Sequence, residues 1–463
     1  MPNNLFEEKY NKKMLLENIS AISTAIGVGG VAIIRISGES PLEIAEKMFF
    51  PSGKTKVKDF EPYKMYVGEI DGGNFRDFGM CVYFRAPKSY TGENMVEFHC
   101  HGGMAITRGI LQRTFALGAK PATRGEFTKR AFLNGKLSLS SCEGLIDMIN
   151  SESEGEVKAG YYLYKERLMR EIRGLQQKLQ DALTLIDANI DFPEEGLEEA
   201  DASNILQTVS GVNAELKRLL ATYSVGRKVK NGVKVAIVGK PNTGKSSILN
   251  RLLCYDKAIV SPVAGTTRDV VEGTIINDGV RFELFDTAGI RESKDAIEAE
   301  GINRSRKALD GADVALLVID GSKELSEEDR ELIKLSANKN RITVLNKSDE
   351  GVLPSVEKEV SPDAVVSALT GENVEKIPAM LSEKVFGGSV DLSGDIISEE
   401  RHFYAIKAAS ESLEQAEEAI FAMPLDAVSV DITEAWQRLG EITGETASES
   451  IINDIFSRFC VGK

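Results

Sequence analysis

Apolar positions along this chain follow two rhythms, and the points where one gives way to the other divide it. Up to about residue 134 the apolar residues come in short runs, Val31 to Ile36, Lys64 to Glu69, Met80 to Phe84 and Met95 to Cys100, parted by Gly and Pro. Such runs predict strands, and one helical stretch, Met104 to Leu117, makes the segment α+β. From about Leu137 the period lengthens. Leu168, Ile172, Leu175, Leu179, Leu183 and Ile186 step by three and four, the stripe of an amphipathic helix. Asp191-Phe192-Pro193 breaks it, and a further helix is predicted over Asn204 to Tyr223. Near residue 231 the pattern changes again. Val233, Val235, Ala236, Ile237 and Val238, then Phe282-Glu283-Leu284-Phe285, Val314 to Ile319 and Ile342 to Leu345 are predominantly apolar runs and alternate with helical segments such as Ser247 to Leu253 and Glu328 to Ser336. That alternation predicts a doubly wound parallel sheet. Helical periodicity returns in Ile406, Ala409, Leu413, Ala416 and Ile420, and in Ile432, Trp436, Leu439 and Ile442, with Thr446-Ala447-Ser448-Glu449 patterned as a capping box for the last helix. The predicted architecture is multidomain, α/β and α. An α+β domain covers 1–134, and a discontinuous helical bundle is built from 135–230 and 387–463. A doubly wound α/β domain, 231–386, is inserted between the two pieces.

Composition narrows the class. At 463 residues the chain exceeds what one core supports, and 42% hydrophobic with 27% charged residues is ordinary for a soluble protein. No apolar stretch reaches bilayer-spanning length, and Met1 to Tyr10 lacks the apolar core of a signal peptide, so a cytoplasmic protein without membrane contact is predicted. Cys81, Cys100, Cys142, Cys254 and Cys460 lie far apart with no C-x-x-C pair, which reads as reduced thiols. A net charge of −15 argues against strong non-specific nucleic-acid binding by the chain alone. An RNA role therefore needs a basic partner or a local patch; clusters such as Arg124, Lys129, Arg130 and Lys136 occur, but there is no long basic run, and each of these residues reads as a solvated surface charge.

The chemistry lies in four motifs, all in the predicted α/β segment. Gly239-Lys240-Pro241-Asn242-Thr243-Gly244-Lys245-Ser246 is a P-loop, whose glycines allow backbone N–H groups and a helix N-terminus to cradle phosphates. Asn242 through Ser247 are the candidate phosphate contacts, with Lys245 reaching the β- and γ-phosphates and the Ser246 hydroxyl on Mg²⁺. Asp286-Thr287-Ala288-Gly289 follows a strand, which places the Asp286 carboxylate toward the metal. Asn346-Lys347-Ser348-Asp349 and Ser367-Ala368-Leu369 complete the set and select guanine. A buried Asp349 carboxylate is expected to accept the N1–H and amino hydrogens, a donor pair that adenine lacks. Four motifs in this order make the chain a GTPase.

The hydrolytic machinery departs from the commonest pattern. Where many small GTPases carry a water-orienting Gln after D-x-x-G, this chain has Ile290. The acids that follow, Glu292, Asp295, Glu298 and Glu300, are the alternatives. Ala258 to Asp269 is the candidate switch segment, with Thr267 completing Mg²⁺ coordination when the γ-phosphate is present.

Gly239 to Asn250, Ala264-Gly265-Thr266-Thr267-Arg268-Asp269 and Asp286 to Arg291 resemble the Era-like bacterial GTPases. Within that group, Gly29 to Gly38, Ser89-Tyr90-Thr91-Gly92-Glu93-Asn94, Gly125 to Lys136 and the terminal Phe459-Cys460-Val461-Gly462-Lys463 resemble the MnmE (TrmE) tRNA-modification GTPases. The resemblance runs from about Ile19 to Lys463 and implies an N-terminal folate-binding domain that dimerises, a two-piece helical domain and an inserted G domain. It implies a homodimer that joins a FAD-dependent MnmG-type partner in a heterotetramer, with tRNA bound mainly through the complex. Together they would place an aminomethyl-type (carboxymethylaminomethyl) group on C5 of the tRNA wobble uridine. The one-carbon unit would come from a tetrahydrofolate derivative (5,10-methylene- or 5-formyl-tetrahydrofolate) held by Arg35, Glu97, Lys136 and Lys463. The resemblance also implies K⁺ as activator, coordinated by Asn242, Ser261, Val263 and Thr266, with Glu298 orienting the water. The loop before the first long strand reads Ala25-Ile26-Gly27-Val28-Gly29-Gly30 and lacks an arginine that is frequent there in the family.

Two further patterns carry less. His99-Cys100-His101 alternates across a strand, so the histidines diverge from the cysteine and no second cluster completes a metal site. Gly27, Gly29 and Gly30 precede a strand instead of following one, which fails the dinucleotide fingerprint. The rival reading, an Era-like ribosome-assembly GTPase, predicts an appended basic RNA-binding domain.

Overall fold

The structure, a computed structural model, describes residues 17–191, 199–255, 273–286, 306–388, 396–444 and 448–463. The chain forms two compact units, one of Met1–Ile146, Leu163–Gln176 and Leu439–Lys463, the other of Asp147–Tyr162 and Gln177–Arg438.

The first unit is built on a seven-stranded sheet in the order β3-β4-β5-β6-β2-β1-β7. Its strands are β1 (Ile19–Ile22), β2 (Gly29–Gly38), β3 (Phe49–Pro51), β4 (Met65–Asp71), β5 (Arg76–Phe84), β6 (Asn94–Gly102) and β7 (Lys120–Pro121). All neighbours are antiparallel except β1 and β7. One face packs Ile34, Ile36 and Phe98 with Ile44 and Met48 of the Pro41–Met48 helix and Ile110 of the Met104–Ala116 helix into a core. Two helices here were not predicted, Pro41–Met48 and Glu126–Leu133. Each has only eight residues, too few for periodicity to stand out from the strand pattern around it. The last helix, Glu449–Ser457, is capped by Ser448, whose hydroxyl accepts from the Ile451 N–H at 3.4 Å. Its third position is the apolar Ile451, so the reciprocal half of the predicted capping box is absent, and Thr446 and Ala447 lie outside the described residues.

The second unit holds a six-stranded sheet in the order β13-β12-β11-β8-β10-β9. Its strands are β8 (Val233–Val238), β9 (Gly273–Asn277), β10 (Val280–Asp286), β11 (Val314–Asp320), β12 (Arg341–Asn346) and β13 (Ala364–Val365). Every pairing is parallel except that of β9, an unpredicted edge strand in a hairpin with β10. Successive residues of the central strands enter opposite cores. Val235, Ile237, Leu316, Val318 and Val344 pack with Ile248, Leu252 and Leu381, while Ala236, Val238, Ala315, Leu317 and Leu345 pack with Leu332 and Val356. A sheet covered on both faces favours strands that are apolar at nearly every position, which is why these runs stood out.

The Glu199–Asn231 helix, which precedes this sheet in sequence, packs along Glu400–Ala419, which follows it. Tyr223 stacks on Phe403 at 4.2 Å, and Asn213 joins Glu417 and Ser410 by hydrogen bonds of 3.0 and 2.6 Å. Gly226 lies so close to the Ile397 carbonyl that a Cβ would stand 2.1 Å from it. Two charge clusters tie helix ends to the sheet and to each other. Arg281 of β10 holds Glu156 at 2.8 Å and Glu152 at 3.1 Å, beside a backbone bond from Gly155 N–H to the Gly279 carbonyl. Lys230 holds Asp147 at 2.9 Å and also pairs with Glu399.

Burial and the adjacent Glu399 carboxylate push the Asp147 carboxyl up from 3.8 to about 8, against the pull of Lys230. The native state therefore keeps a proton that the unfolded chain has lost over that interval, and stability declines as pH rises through it. Between pH 6 and 9 the thermal midpoint of this unit is expected to fall by about 3–8 °C. Asp147→Asn, which keeps the neutral form, should flatten the decline, and an equal decline in variant and parent would refute the assignment.

Candidate functional site

The four motifs converge at the carboxyl ends of the parallel strands. β8 runs into the P-loop, where Gly239 (φ +154°) passes so close to the Val318 carbonyl of β11 that a Cβ would stand 2.3 Å from it. Asn242 is exposed at the loop's apex with φ 66°. Thr243 is buried, its hydroxyl donating to the Lys240 carbonyl at 3.0 Å. Lys245 opens the Lys245–Tyr255 helix and is buried, its ammonium donating to the Gly239 and Lys240 carbonyls at 2.8 Å each. The first turn of that helix presents Ser246 and Ser247 at the surface. A cationic head beside a helix N-terminus and a glycine turn is the donor set an oligophosphate needs.

β12 delivers the base-selecting motif. Its last residue, Asn346, is buried and bridges two loops: Nδ2 donates to the Thr243 carbonyl at 2.8 Å, and Oδ1 accepts from the Ala368 N–H at 2.9 Å. Lys347 has φ 69°, and its ammonium reaches Asp320 at 2.6 Å. That bond raises the pKa of Lys347, while burial opposes the charge of Asp320 but is outweighed by Lys347 and Ser322. Asp349 is exposed, correcting the expectation of a buried carboxylate. It rides on the Ser348–Glu350 turn, beyond the strand end, and is steadied by a hydrogen bond from the buried Ser367 hydroxyl instead of by enclosure. Leu369 of the third motif is largely exposed.

Asp286 ends β10 in register with Ile237 of β8. Thr287, Ala288, Gly289 and Glu298, with Ser261, Val263, Thr266 and Thr267, lie outside the described residues. The structure thus unites the phosphate and base halves of the predicted set. It adds two residues that the motifs do not contain, Asp320 and Arg251, and gives Lys240 of the P-loop partners outside them. Asp320, in register with Asn346, ends an apolar run at a strand terminus, the same signal that marked Asp286. Lys240 anchors the P-loop to Asp329 (2.7 Å) and Ser326 (2.9 Å), the capping box of the Glu327–Leu335 helix. Arg251 donates to the Ala368 and Leu369 carbonyls, a long-range contact that no local pattern announces.

In the first unit, Arg35 and Glu97 face each other in register on β2 and β6 and are joined at 2.7 Å. The Arg35 guanidinium lies 5.3 Å from the Tyr90 ring and 5.6 Å from Phe127. Burial disfavours charge on Glu97, but His99 and Arg35 together outweigh it and hold the carboxyl below its ordinary value. Burial pushes the Tyr90 hydroxyl up to about 12, so it remains neutral in its 2.8 Å bond with Thr128. Lys136 donates to the Pro87 carbonyl at 3.2 Å, and Lys463 follows Gly462, where a Cβ would stand 2.0 Å from the Ile22 carbonyl. The Ala25–Gly29 loop lines a cleft of about 380 Å³ with Ile22, Val31, Gly102 and Thr107.

The Glu126–Leu133 helix that covers Arg35 is locked by Arg130, which is 1% exposed and bonds Glu126, Glu93 and the Glu17 carbonyl. Removing it would strand two buried carboxylates, at a cost of about 3–5 kcal/mol. Counting Arg130 among surface charges was therefore wrong, and its i,i+4 spacing from Glu126 was the available signal. His101 bonds Asp77 at 2.7 Å while Cys100 is buried, and no group of three metal-ligating side chains occurs among the described residues.

Residues 139–460 match the family model for the MnmE helical domain, and residues 18–136 the model for the GTP-binding protein TrmE N-terminus. The chain is 40% identical over 454 residues to the tRNA modification GTPase MnmE of Lactobacillus delbrueckii subsp. bulgaricus, 96% of this chain and 98% of that one. It is also 40% identical over 460 residues to that of Natranaerobius thermophilus, 97% of this chain and 100% of the relative. Among solved structures, Era of Aquifex aeolicus bound to GDP·AlF₄⁻ aligns at 30% identity over 39% of this chain and 66% of its own, with a TM-score of 0.26.

Gly244 (φ +94°) leaves 2.1 Å between the position of a Cβ and Asn346 Nδ2. Gly244→Ala should therefore strain the backbone and break the Asn346 bridge together, weakening GDP binding about 30-fold or more in a fluorescence titration. Affinity within two-fold of the parent would show that the bridge is dispensable.

Proposed function

The chain belongs to the MnmE family of tRNA modification GTPases, and we propose that it is a K⁺-dependent GTPase of wobble-uridine modification. It hydrolyses GTP to GDP and, with a FAD-dependent partner, serves to add an aminomethyl-type group to C5 of the tRNA wobble uridine. The observation that carries this reading is the Asn346 bridge between the P-loop and the base loop, with Asp349 poised beside it. A carboxylate at that position matches the paired N1–H and amino donors of guanine.

Mg²⁺ fits the hydroxyl of Ser246 at the helix start, with Thr267 as its second protein ligand. K⁺ fits the exposed Asn242 carboxamide, with Ser261, Val263 and Thr266 supplying further oxygens. The two cations supply positive charge where the transferred phosphoryl group gathers negative charge. The chain's own part is to orient. Lys245 exchanges its carbonyl partners for phosphate oxygens, Gly244 keeps the backbone clear of the ligand, and Glu298 positions the attacking water.

The tetrahydrofolate derivative fits the first unit. Arg35, Lys136 and Lys463 offer cations to its carboxylates, Glu97 accepts from its pterin N–H groups, and Tyr90 and Phe127 offer ring faces. The adjoining cleft of about 380 Å³ lies in the range of small-molecule sites. We assign the folate and dimerisation domain to 1–134, the helical domain to 135–230 with 387–463, and the G domain to 231–386. No helix of the described residues is long and apolar enough to cross a membrane. The proposal includes a cytoplasmic homodimer that meets tRNA through its partner complex.

Two measurements test this reading. Turnover should fall at least ~10-fold when K⁺ is replaced by Na⁺, and Glu298→Ala should lower it by ~10²–10³ with GDP affinity retained. Equal rates in both salts would exclude the cation role. In tRNA from cells lacking the protein, nucleoside mass spectrometry should show loss of the C5-substituted uridine. The intact chain should restore it and Glu298→Ala or Arg35→Ala should not. An unchanged profile would remove the modification role and favour ribosome assembly.

A further inference from the structure

We infer that Arg251 is a positioning residue for guanine recognition, joining the phosphate-binding helix to the base-binding loop; this rests on the GTPase reading of the site. Arg251 lies two turns into the Lys245–Tyr255 helix. Its Nε donates to the Ala368 carbonyl at 3.2 Å and its Nη2 to the Leu369 carbonyl at 2.6 Å. A planar guanidinium with a fixed fork suits two successive carbonyls, whereas an ammonium is a single point of charge.

Ala368 is buried in the core below the sheet, but at Leu369 the loop has little packing to hold it. Leu369 is 75% exposed, so its side chain contributes almost no packing. The Ala368 N–H is bonded to Asn346 and its carbonyl to Arg251, which fixes the residue from two elements at once. One residue earlier, the Ser367 hydroxyl donates to Asp349 and accepts from the Thr370 N–H at 3.1 Å. A loop released at Ala368 and Leu369 would therefore also lose its grip on the Asp349 carboxylate. Both of these guanidinium bonds go to backbone carbonyls of the loop. The effect of Arg251 passes through the loop to Asp349, and because it stands on the helix that begins with Lys245, it couples the two halves of the site.

The test uses the full-length chain and a fluorescent GDP analogue, with release followed by stopped flow after a chase of unlabelled GDP. Arg251→Ala is expected to speed release about ten-fold, with single-turnover hydrolysis at saturating GTP changed less than about two-fold. Preference for GTP over ITP, which lacks the 2-amino group, should shrink several-fold because Asp349 is no longer held in place. Arg251→Lys should recover part of both effects. Release within two-fold of the parent would overturn the inference. So would faster release that weakens GTP and ITP equally, tracks a lowered melting temperature and is not relieved by lysine, since that is general loosening. If the unsubstituted chain binds no guanine nucleotide, the GTPase reading itself fails, and this inference with it.

Discussion

One carboxamide carries the organisation of the nucleotide site. Asn346 spends its donor on the P-loop and its acceptor on the base loop, and it does so while buried. An amide is the smallest side chain with a donor and an acceptor on one plane, so no other residue of similar volume could serve both loops. The surroundings conform to it. Gly244 must lack a side chain to leave it room, β12 must end where it does to present it, and Lys347 must take a left-handed backbone to turn away toward Asp320. The strands beneath, buried on both faces, give that carboxamide a rigid seat.

A similar economy governs the first unit, with charge in place of amide. Arg130 gathers two carboxylates and a backbone carbonyl in a buried setting, where each unpaired partner would be costly. The helix it fixes lays Phe127 against Arg35. Arg35 is left bound to Glu97 between two aromatic rings, a cation–carboxylate pair already desolvated on one side. Groups so prepared pay less on meeting a flat, charged ligand.

Legibility in the sequence followed the range of the interactions. The central parallel strands were readable because nearly every residue is apolar, and the P-loop and N-K-x-D motifs because backbone geometry restricts which residues fit at fixed spacing. The Pro41–Met48 and Glu126–Leu133 helices were missed because eight residues give barely two turns of periodicity. β9 was missed because one side of it is an open edge, and its apolar content is correspondingly thin. The contacts of Arg251 and Lys240 were beyond reach for another reason. Their partners lie far away in the chain, and a lone basic residue carries no mark of them. Asp349 erred in the opposite direction: its motif was plain, but the motif does not say whether protein or ligand encloses the carboxylate.

The pairing of Glu199–Asn231 with Glu400–Ala419 has a consequence in time. The first helix leaves the ribosome nearly 170 residues before its partner begins. At ordinary synthesis rates that is an interval of roughly 8–35 s. Through it, Val209, Val212, Leu216 and Leu219, all fully covered in the finished protein, lack the partner helix Glu400–Ala419. The inserted sheet can close in the meantime, since its strands are complete once β13 has emerged. A nascent chain can therefore carry a closed nucleotide-binding sheet beside a helix that still lacks its partner, and this pairing cannot be completed before residues 400–419 have emerged.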